Sequence, residues 1–409
     1  MHILILGNDP KTMVNFRGPL IEAMLAAGHK VTAAGTGEDR HLLPWFAERD
    51  VPYVEVPIER TGLNPLSDWR TVRAFGALIR SVQPDLLFTY SIKPVICGLI
   101  AGRLAGVRRR TAMITGLGYA FTEGGQEGAR EWLKRRAVNL AARAAYRMAL
   151  GQADTVIFQN PDDRDVFRRL KLTRAKQRVG IVNGSGVDLS HFRPAPMPEG
   201  PTTFLMIARL LRDKGVYEYV EAARLVKRRR PEARFVLVGP FDRNPTSVKP
   251  TEVDAWVREG LIDYRGAVDD VRPLIAQCHV FVLPSYREGT PRTVLEAMAM
   301  GRPVITTDVP GCRETVVDGE NGLLVPARDA KALAGAMEVL NSEGEREPMA
   351  VAALARARSR YDKNVVAVAT LNELSRPATL ETSATATIAP PNSADRLNVA
   401  TSTLERASC

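Results

Sequence analysis

The stretch that decides the fold is residues 285–326, SYREGTPRTVLEAMAMGRPVITTDVPGCRETVVDGENGLLVP. A short apolar run, FVLP, precedes it, and a second apolar run, PVITT, lies inside it after a glycine turn and a helical pattern. Strand, glycine turn, helix and strand form a unit that binds phosphate groups in α/β proteins. Amide groups around Gly289 and Thr290 are therefore predicted to face an anionic ligand at the positive end of the helix.

Two glutamates in this stretch are candidate ligand-binding residues. Glu288 lies in the turn, where its carboxylate can accept hydrogen bonds from sugar hydroxyls. Glu296 lies two turns into the helix, within reach of a ribose. Because charged pairs on a helix usually form a solvated face, the spacing alone does not establish a site.

A second candidate for anion binding is the segment IARLLRDKG at residues 207–215. Arg209 follows an apolar strand, and Lys214 comes five residues later, just before a helical pattern. Arginine holds phosphate oxygens in a bidentate manner and lysine acts as a point charge. The pair is predicted to hold a diphosphate in a cleft.

The chain is predicted to form two α/β lobes. Its 409 residues suit two domains, and apolar runs alternate with amphipathic helical patterns on both sides of a proline-rich break at residues 191–203. We expect lobes at 1–195 and 196–375, with segments 348–358 and 364–374 closing the second. Residues 376–409, rich in Thr, Ser, Ala and Pro, are predicted to be a disordered tail.

The net charge of +10 lies in the first lobe. Residues 1–195 carry 28 Lys and Arg against 18 Asp and Glu, whereas residues 196–409 carry 28 of each. Solvated arginine-rich helices would produce this pattern, and so would an anionic partner such as a membrane surface or a phosphorylated substrate. Nucleic acid is excluded as a predicted partner, because the basic clusters have no interleaved aromatic residues.

The sequence predicts a cytoplasmic protein without a metal. It has no run of 18 apolar residues, and its first residues, MHILILGNDP, resemble a buried strand rather than a signal peptide. The four cysteines are scattered without a CxxC spacing, which favours neither a zinc site nor a disulfide framework.

The 285–326 stretch closely resembles the E-x7-E signature of retaining family 4 glycosyltransferases, including its GxxE and GxNGxLV segments at 311–314 and 319–325. The resemblance extends to about residue 375. The segment NFRGPL resembles the family's first loop and helix. The segments SIKPV, TGLGYAFTE, FQNPDD and VNGSGVDLSHF resemble a bacterial subgroup that adds a sugar to an undecaprenyl-diphosphate-linked saccharide.

This resemblance implies a GT-B architecture, with two Rossmann-like doubly wound lobes facing a cleft. It implies a nucleotide-sugar donor in the second lobe, expected to be UDP-linked, with an N-acetylhexosamine as one option. A lipid-linked saccharide would bind the first lobe. Retention of configuration, no cofactor and no metal are implied. The basic first lobe is expected to place the enzyme on the inner face of the membrane, in contact that salt weakens.

Site residues are carried over from the resemblance. Catalytic contacts to the diphosphate and the donor sugar are implied for Arg209, Lys214 and Glu288. Donor-binding contacts are implied for Gly18, Gly289, Thr290 and Glu296. Acceptor-binding contacts are implied for Arg17, Ser91 and Lys93, although Lys93 fits a helix cap equally well. The base is expected near residues 239–240 and 265–268.

One departure leaves the group that activates the acceptor unidentified. Many family members have a first-lobe histidine where this chain has Thr115 and Gly116.

Two other classes of protein remain open as predictions. A sugar-nucleotide epimerase-like enzyme would need acid and base groups in the cleft, for which the five histidines are poorly placed. A non-enzymatic basic membrane-binding module would explain the charge but not the second-lobe motifs. A dehydrogenase is disfavoured, because the first strand lacks GxGxxG.

Overall fold

The computed structural model describes residues 1–37, 39–59, 65–117, 129–242, 244 and 246–376. They form two parallel β-sheets, each covered by helices, which confirms the predicted α/β class. The predicted tail beyond Arg376 and the end of the TGLGYAFTE segment lie outside the described residues.

The first sheet has seven parallel strands in the order β3-β2-β1-β4-β5-β6-β7. The strands are β1 (His2–Leu6), β2 (Lys30–Gly35), β3 (Tyr53–Glu55), β4 (Leu86–Tyr90), β5 (Arg109–Ile114), β6 (Thr155–Phe158) and β7 (Arg178–Ile181). The helices between them are α1 (Pro10–Ala26), α2 (Leu43–Ala47), α3 (Pro65–Val82), α4 (Ile92–Leu104), α5 (Ala129–Leu150) and α6 (Pro161–Arg169). We call this sheet and the helices that pack on it the first lobe.

The second sheet has six parallel strands in the order β10-β9-β8-β11-β12-β13. The strands are β8 (Thr203–Ile207), β9 (Arg234–Val238), β10 (Asp263–Tyr264), β11 (Val280–Leu283), β12 (Val304–Thr307) and β13 (Gly322–Val325). The helices are α7 (Val216–Lys227), α8 (Pro250–Arg258), α9 (Arg272–Ala276), α10 (Arg292–Ala299), α11 (Ala330–Val339) and α12 (Glu343–Arg360). We call this sheet and these helices the second lobe.

The central strands are apolar along their whole length because helices cover both faces of each sheet. All residues of β4, β6, β11 and β12 are buried. The strand order reverses between β1 and β4 in the first sheet and between β8 and β11 in the second. Ligands of such sheets bind outside the carboxyl ends of the strands at this reversal, the topological switch point.

The chain passes between the lobes at two places that lie side by side. Residues 191–202, between the two sheets, contain no strand or helix, as the proline-rich break predicts. Val187 donates to Tyr361 O at 2.7 Å and Lys363 N donates back to Val187 O at 3.0 Å, so the outgoing and returning segments are bonded together. These two hydrogen bonds join the segments that connect the lobes.

The last helix corrects one expectation. Segment 364–374 was expected to close the second lobe, but α13 (Lys363–Ser375) packs on α1, and Ala367 and Leu374 belong to the core of the first lobe. Arg178 of β7 pairs with Glu373 at 2.6 Å. The buried residues of α13 lie on the side of the helix that packs on the first lobe.

Candidate active site

A cavity of about 430 Å³ lies between the two lobes. Its lining from the first lobe is Asn8, Ser91, Ile92, Lys93, Thr115, Gly116 and Leu117. Its lining from the second lobe is Arg209, Leu211, Asp213, Lys214, Asn244, Arg287, Glu288 and Gly289. Asn8 and Ser91 follow β1 and β4, whereas Arg209 and Glu288 follow β8 and β11. The switch points of both sheets therefore face one cavity.

Glu288 and Lys214 form the centre of this cavity. Glu288 Oε1 accepts from Lys214 Nζ at 2.5 Å and from Ser285 Oγ at 2.7 Å. The Lys214 and Glu288 side chains are only 19% and 14% exposed. Charges removed from water need partners of opposite sign, and each of these two groups supplies the other's. The two residues predicted to bind donor sugar and diphosphate are thus in direct contact.

Lys214 is aimed into the cavity by a tight turn. Residues Arg212–Lys214 form a single 3-10 turn, which ends at Gly215 in the left-handed conformation with φ of 75°. A Cβ atom on Gly215 would lie 2.1 Å from Pro284 O, so only glycine fits between this turn and the end of β11. Tyr286 N also donates to Asp213 O at 2.9 Å, which joins the two loops that carry Lys214 and Glu288.

Arg209 lines the same cavity with an exposed guanidinium. Its side chain is 58% exposed, and Nη1 donates to Asp242 Oδ2 at 2.8 Å. An exposed ion pair of this kind contributes little to stability, so the guanidinium is available to exchange its carboxylate partner for a phosphate.

The glycine after Glu288 allows a close approach of the two lobes. A Cβ atom on Gly289 would lie 2.4 Å from Thr115 O and 2.7 Å from Gln159 Oε1. Thr290, by contrast, is not part of the cavity lining and packs against Gly184, where an added Cβ would meet its side chain at 2.8 Å. Of the two residues predicted to make main-chain contacts to the donor, Gly289 lines the cavity and Thr290 does not, and the contacts themselves stay a prediction.

Ser91 and Lys93 reach the cavity from the first lobe. Ser91 has a positive φ of 70°, a strained conformation for a residue other than glycine that persists where surrounding structure imposes it. Lys93 is buried and forms an ion pair with Asp68 of α3. Neither predicted alternative for Lys93, acceptor phosphate or helix cap, describes this contact, and its role in binding stays a prediction.

Gly18 and Arg17 do not reach this cavity. Gly18 is eight residues into α1, about 12 Å along the helix axis from its start, and faces Trp45. Arg17 is buried, its guanidinium lies 5.0 Å from the Tyr90 ring centre, and burial lowers its pKa to about 10. Asn8, which follows β1, lines the cavity, whereas Gly18 does not.

Glu296 is also outside the cavity lining. It is buried in α10, and its Oε1 accepts from Arg292 Nε at 2.9 Å. Arg292 in turn donates to Asn15 O at 2.6 Å and lies over the Phe16 ring at 5.0 Å. Arg292 and these two residues of α1 therefore cover Glu296. Burial raises the pKa of the Glu296 carboxyl to about 7, and Arg292 opposes this shift.

Because the pKa of Glu296 is raised, we expect the stability of wild type and of Glu296→Gln to depend differently on pH. The native state keeps the Glu296 proton up to about pH 7, whereas an ordinary glutamate loses it near 4.5. The contribution of Glu296 to the free energy of unfolding therefore falls by roughly 3 kcal/mol as pH rises from 4.5 through 7. Glutamine removes this loss, so the variant gains stability relative to wild type over that interval. Urea unfolding of both proteins at pH 5 and 7.5 measures the difference, and parallel pH dependences would contradict it.

Several residues at the cavity were not singled out from sequence. Arg287 stands directly before Glu288 and lines the cavity, where it pairs with the buried Asp163 of α6. Asn8 follows β1. A polar residue at the carboxyl end of a central strand indicates a position at the ligand-binding edge of the sheet, so the sequence contained a signal for Asn8. The contact between Arg287 and Asp163 joins residues 124 positions apart, for which the sequence offers no local signal.

Within the described ranges, no group of three or more His, Cys, Asp or Glu side chains is arranged to hold a metal ion. In that same part of the chain no helix has the length and apolar character needed to span a membrane.

Two parallel β-sheets are covered by helices, and their switch points face one charged cavity. This is the architecture of a GT-B glycosyltransferase. The family described as "Glycosyl transferase 4-like domain" matches residues 13–184, and the family described as "Glycosyl transferases group 1" matches residues 201–343. The chain belongs to the family 4 glycosyltransferases with the GT-B fold.

Curated relatives match most of the chain. An N,N'-diacetylbacillosaminyl-diphospho-undecaprenol alpha-1,3-N-acetylgalactosaminyltransferase of Campylobacter jejuni is 26% identical over 380 residues, which cover 90% of this chain and 96% of the relative. A UDP-Gal:alpha-D-GlcNAc-diphosphoundecaprenol alpha-1,3-galactosyltransferase of Escherichia coli is 25% identical over 295 residues, 69% of this chain and 73% of the relative.

Solved structures share the fold. Sucrose-phosphate synthase from Thermosynechococcus elongatus superimposes with a TM-score of 0.71 at 21% identity, covering 91% of this chain and 98% of the other. HepE of Anabaena in complex with UDP and glucose gives a TM-score of 0.68 at 18% identity, covering 91% and 99%. At these identities the likeness establishes the two-lobed fold.

Proposed function

We propose that this glycosyltransferase moves a sugar from a UDP-linked donor to a lipid-linked saccharide, with retention of configuration, in bacterial surface polysaccharide or glycan synthesis. The observation that carries the proposal is the contact between Lys214 and Glu288 where the two switch points face each other. The names of the two relatives above support the acceptor class, and UDP-Gal in one of those names supports the nucleotide.

The proposed chemistry depends on positive charge at the leaving diphosphate. The bond between the anomeric carbon and the diphosphate oxygen breaks while the acceptor hydroxyl oxygen bonds to that carbon. The hydroxyl proton passes to the departing phosphate oxygen. Arg209 and Lys214 stabilise the charge that develops on the diphosphate, and preorganised charge of this kind is a large catalytic contribution. Two cationic side chains supply the charge for which other transferases use a divalent metal, so we propose metal-independent transfer.

Glu288 is proposed to stabilise positive charge on the donor sugar rather than to attack it. Its Oε1 is held by both Lys214 Nζ and Ser285 Oγ, which lowers its nucleophilicity. A carboxylate held in this way still faces the anomeric region and can accept sugar hydroxyl hydrogen bonds. This arrangement supports retention without a covalent sugar–enzyme intermediate.

The acceptor is proposed to approach from the first lobe, with the protein on an anionic membrane surface. The excess of basic residues in 1–195 supports this orientation. Trp69 is 54% exposed and follows Asp68, the partner of Lys93 at the cavity. An exposed aromatic side chain on the first lobe suits the boundary between headgroups and water.

The test is a transfer assay with polyprenyl-diphosphate-linked N-acetylhexosamine in vesicles and a panel of UDP, GDP and ADP sugars. We expect transfer from a UDP-sugar in excess EDTA, with the donor's anomeric configuration in the product by NMR. Transfer should be faster on anionic than on neutral vesicles, and 0.5 M salt should remove that advantage. Inversion, or loss of transfer in EDTA, would contradict the proposed mechanism, and no transfer from any donor would contradict the proposed function.

A further inference from the structure

The start of α6 contacts the loop that carries Glu288, across the boundary between the lobes. Asn160 is the N-cap of α6, and its Oδ1 accepts from Asp163 N at 2.7 Å. Asn160 Nδ2 donates to Gly289 O at 3.0 Å, and Asp163 accepts from Arg287 Nη2. The first lobe therefore holds the residue before Glu288 by its side chain and the residue after Glu288 by its backbone.

These contacts are buried on the first-lobe side. Asn160 and Asp163 are both fully shielded from solvent. In the described part of the chain, Asp163 Oδ2 and Arg287 Nε have no hydrogen-bond partner, so each ion depends on the other for compensation. Burial raises the pKa of Asp163, and Arg287 opposes this shift. Desolvation offsets much of the attraction between the two ions, so such a pair adds little to the free energy of unfolding. What it does is fix one particular geometry.

We propose that Asn160 and Asp163 are positioning residues for sugar transfer, which hold Arg287 and Gly289 so that Glu288 has its catalytic geometry only when the lobes are closed. Separation of the lobes would break both contacts and release the loop that carries Glu288. Small displacements of a catalytic group lower rates by up to about 100-fold. The motif FQNPDD at 158–163 thereby gains a role in catalysis that rests on the proposed transfer reaction.

Two variants test the contacts separately from folding. Asp163→Asn removes the charge that holds Arg287. Asn160→Ser keeps a good helix cap but cannot reach Gly289 O, which separates the contact between lobes from the cap. The control is Asp162→Asn, since Asp162 on the same helix pairs with Arg313 at 3.2 Å in an exposed contact and is expected to change activity less than about 2-fold.

For both test variants we expect kcat to fall about 10- to 100-fold while the Kd for UDP changes less than about 3-fold, because Arg209 and Lys214 are untouched. Small-angle scattering with UDP should show a larger radius of gyration for Asp163→Asn than for wild type. Wild-type kcat in both variants would overturn the proposal, as would parallel losses of kcat, UDP affinity and Tm. If the wild type transfers no sugar, the proposed function fails, whereas the scattering comparison still tests the positioning contacts.

Discussion

Lys214→Ala is expected to lower kcat/KM by about 10²- to 10³-fold and to remove the thermal stabilisation that nucleoside diphosphates give. Lys214 Nζ lies 2.5 Å from Glu288 Oε1 at the centre of the cavity. Alanine removes one of the two cations proposed to hold the diphosphate. It also leaves the Glu288 carboxylate without its cation, so that a like charge faces the incoming donor.

A thermal-shift panel of UDP, GDP, ADP and their sugar conjugates measures the binding loss, and steady-state kinetics measure the catalytic loss. Lys331→Ala is the matched control, because Lys331 is exposed on α11. Stabilisation by one nucleotide that is lost only in Lys214→Ala identifies the base of the donor. Full nucleotide stabilisation and activity in Lys214→Ala would show that the diphosphate binds elsewhere.

Glu288→Gln is expected to lower kcat by about 100-fold while UDP binds as tightly as in wild type or more tightly. The amide oxygen still accepts from Lys214 and Ser285, so the loop keeps its contacts, but the negative charge proposed to stabilise the donor sugar is gone. Loss of an interaction that strengthens in the transition state lowers kcat rather than binding. Removal of the carboxylate also relieves its repulsion of the diphosphate.

Calorimetric titration with UDP and steady-state kcat separate these two effects. Glu259→Gln serves as the control, since Glu259 pairs with Arg224 on the exposed face of the second lobe. If UDP affinity of Glu288→Gln falls in step with kcat, the function of Glu288 is to hold Lys214, and its proposed contact with the donor sugar is contradicted.

The sequence was informative about Arg209 and Glu288, which follow two central strands of the second sheet. Arg209 follows β8 and Glu288 follows β11, and both strands were recognisable as short apolar runs. The carboxyl ends of parallel strands meet at one edge of a sheet, so residues that follow neighbouring strands lie close together. The structure places both in one cavity, together with Lys214 and Gly289.

The sequence was less informative where exposure depends on the other lobe. Glu296 was predicted from the same motif as Glu288, yet Arg292 and the α1 residues that Arg292 contacts cover it. Gly18 was predicted to contact the donor and Arg17 the acceptor, but α1 carries both residues away from its start. Neither outcome follows from local pattern, because each depends on the packing of one element against another.

The sequence by itself determined two parallel sheets, the break between them, and the loops that carry Arg209, Lys214 and Glu288, because apolar periodicity and turn residues act over a few neighbouring positions. Only the tertiary structure decided that α13 returns to the first lobe and that Asp163 holds Arg287 beside Glu288. These contacts join residues more than one hundred positions apart, and they form when elements distant in the chain pack together, which no local pattern encodes.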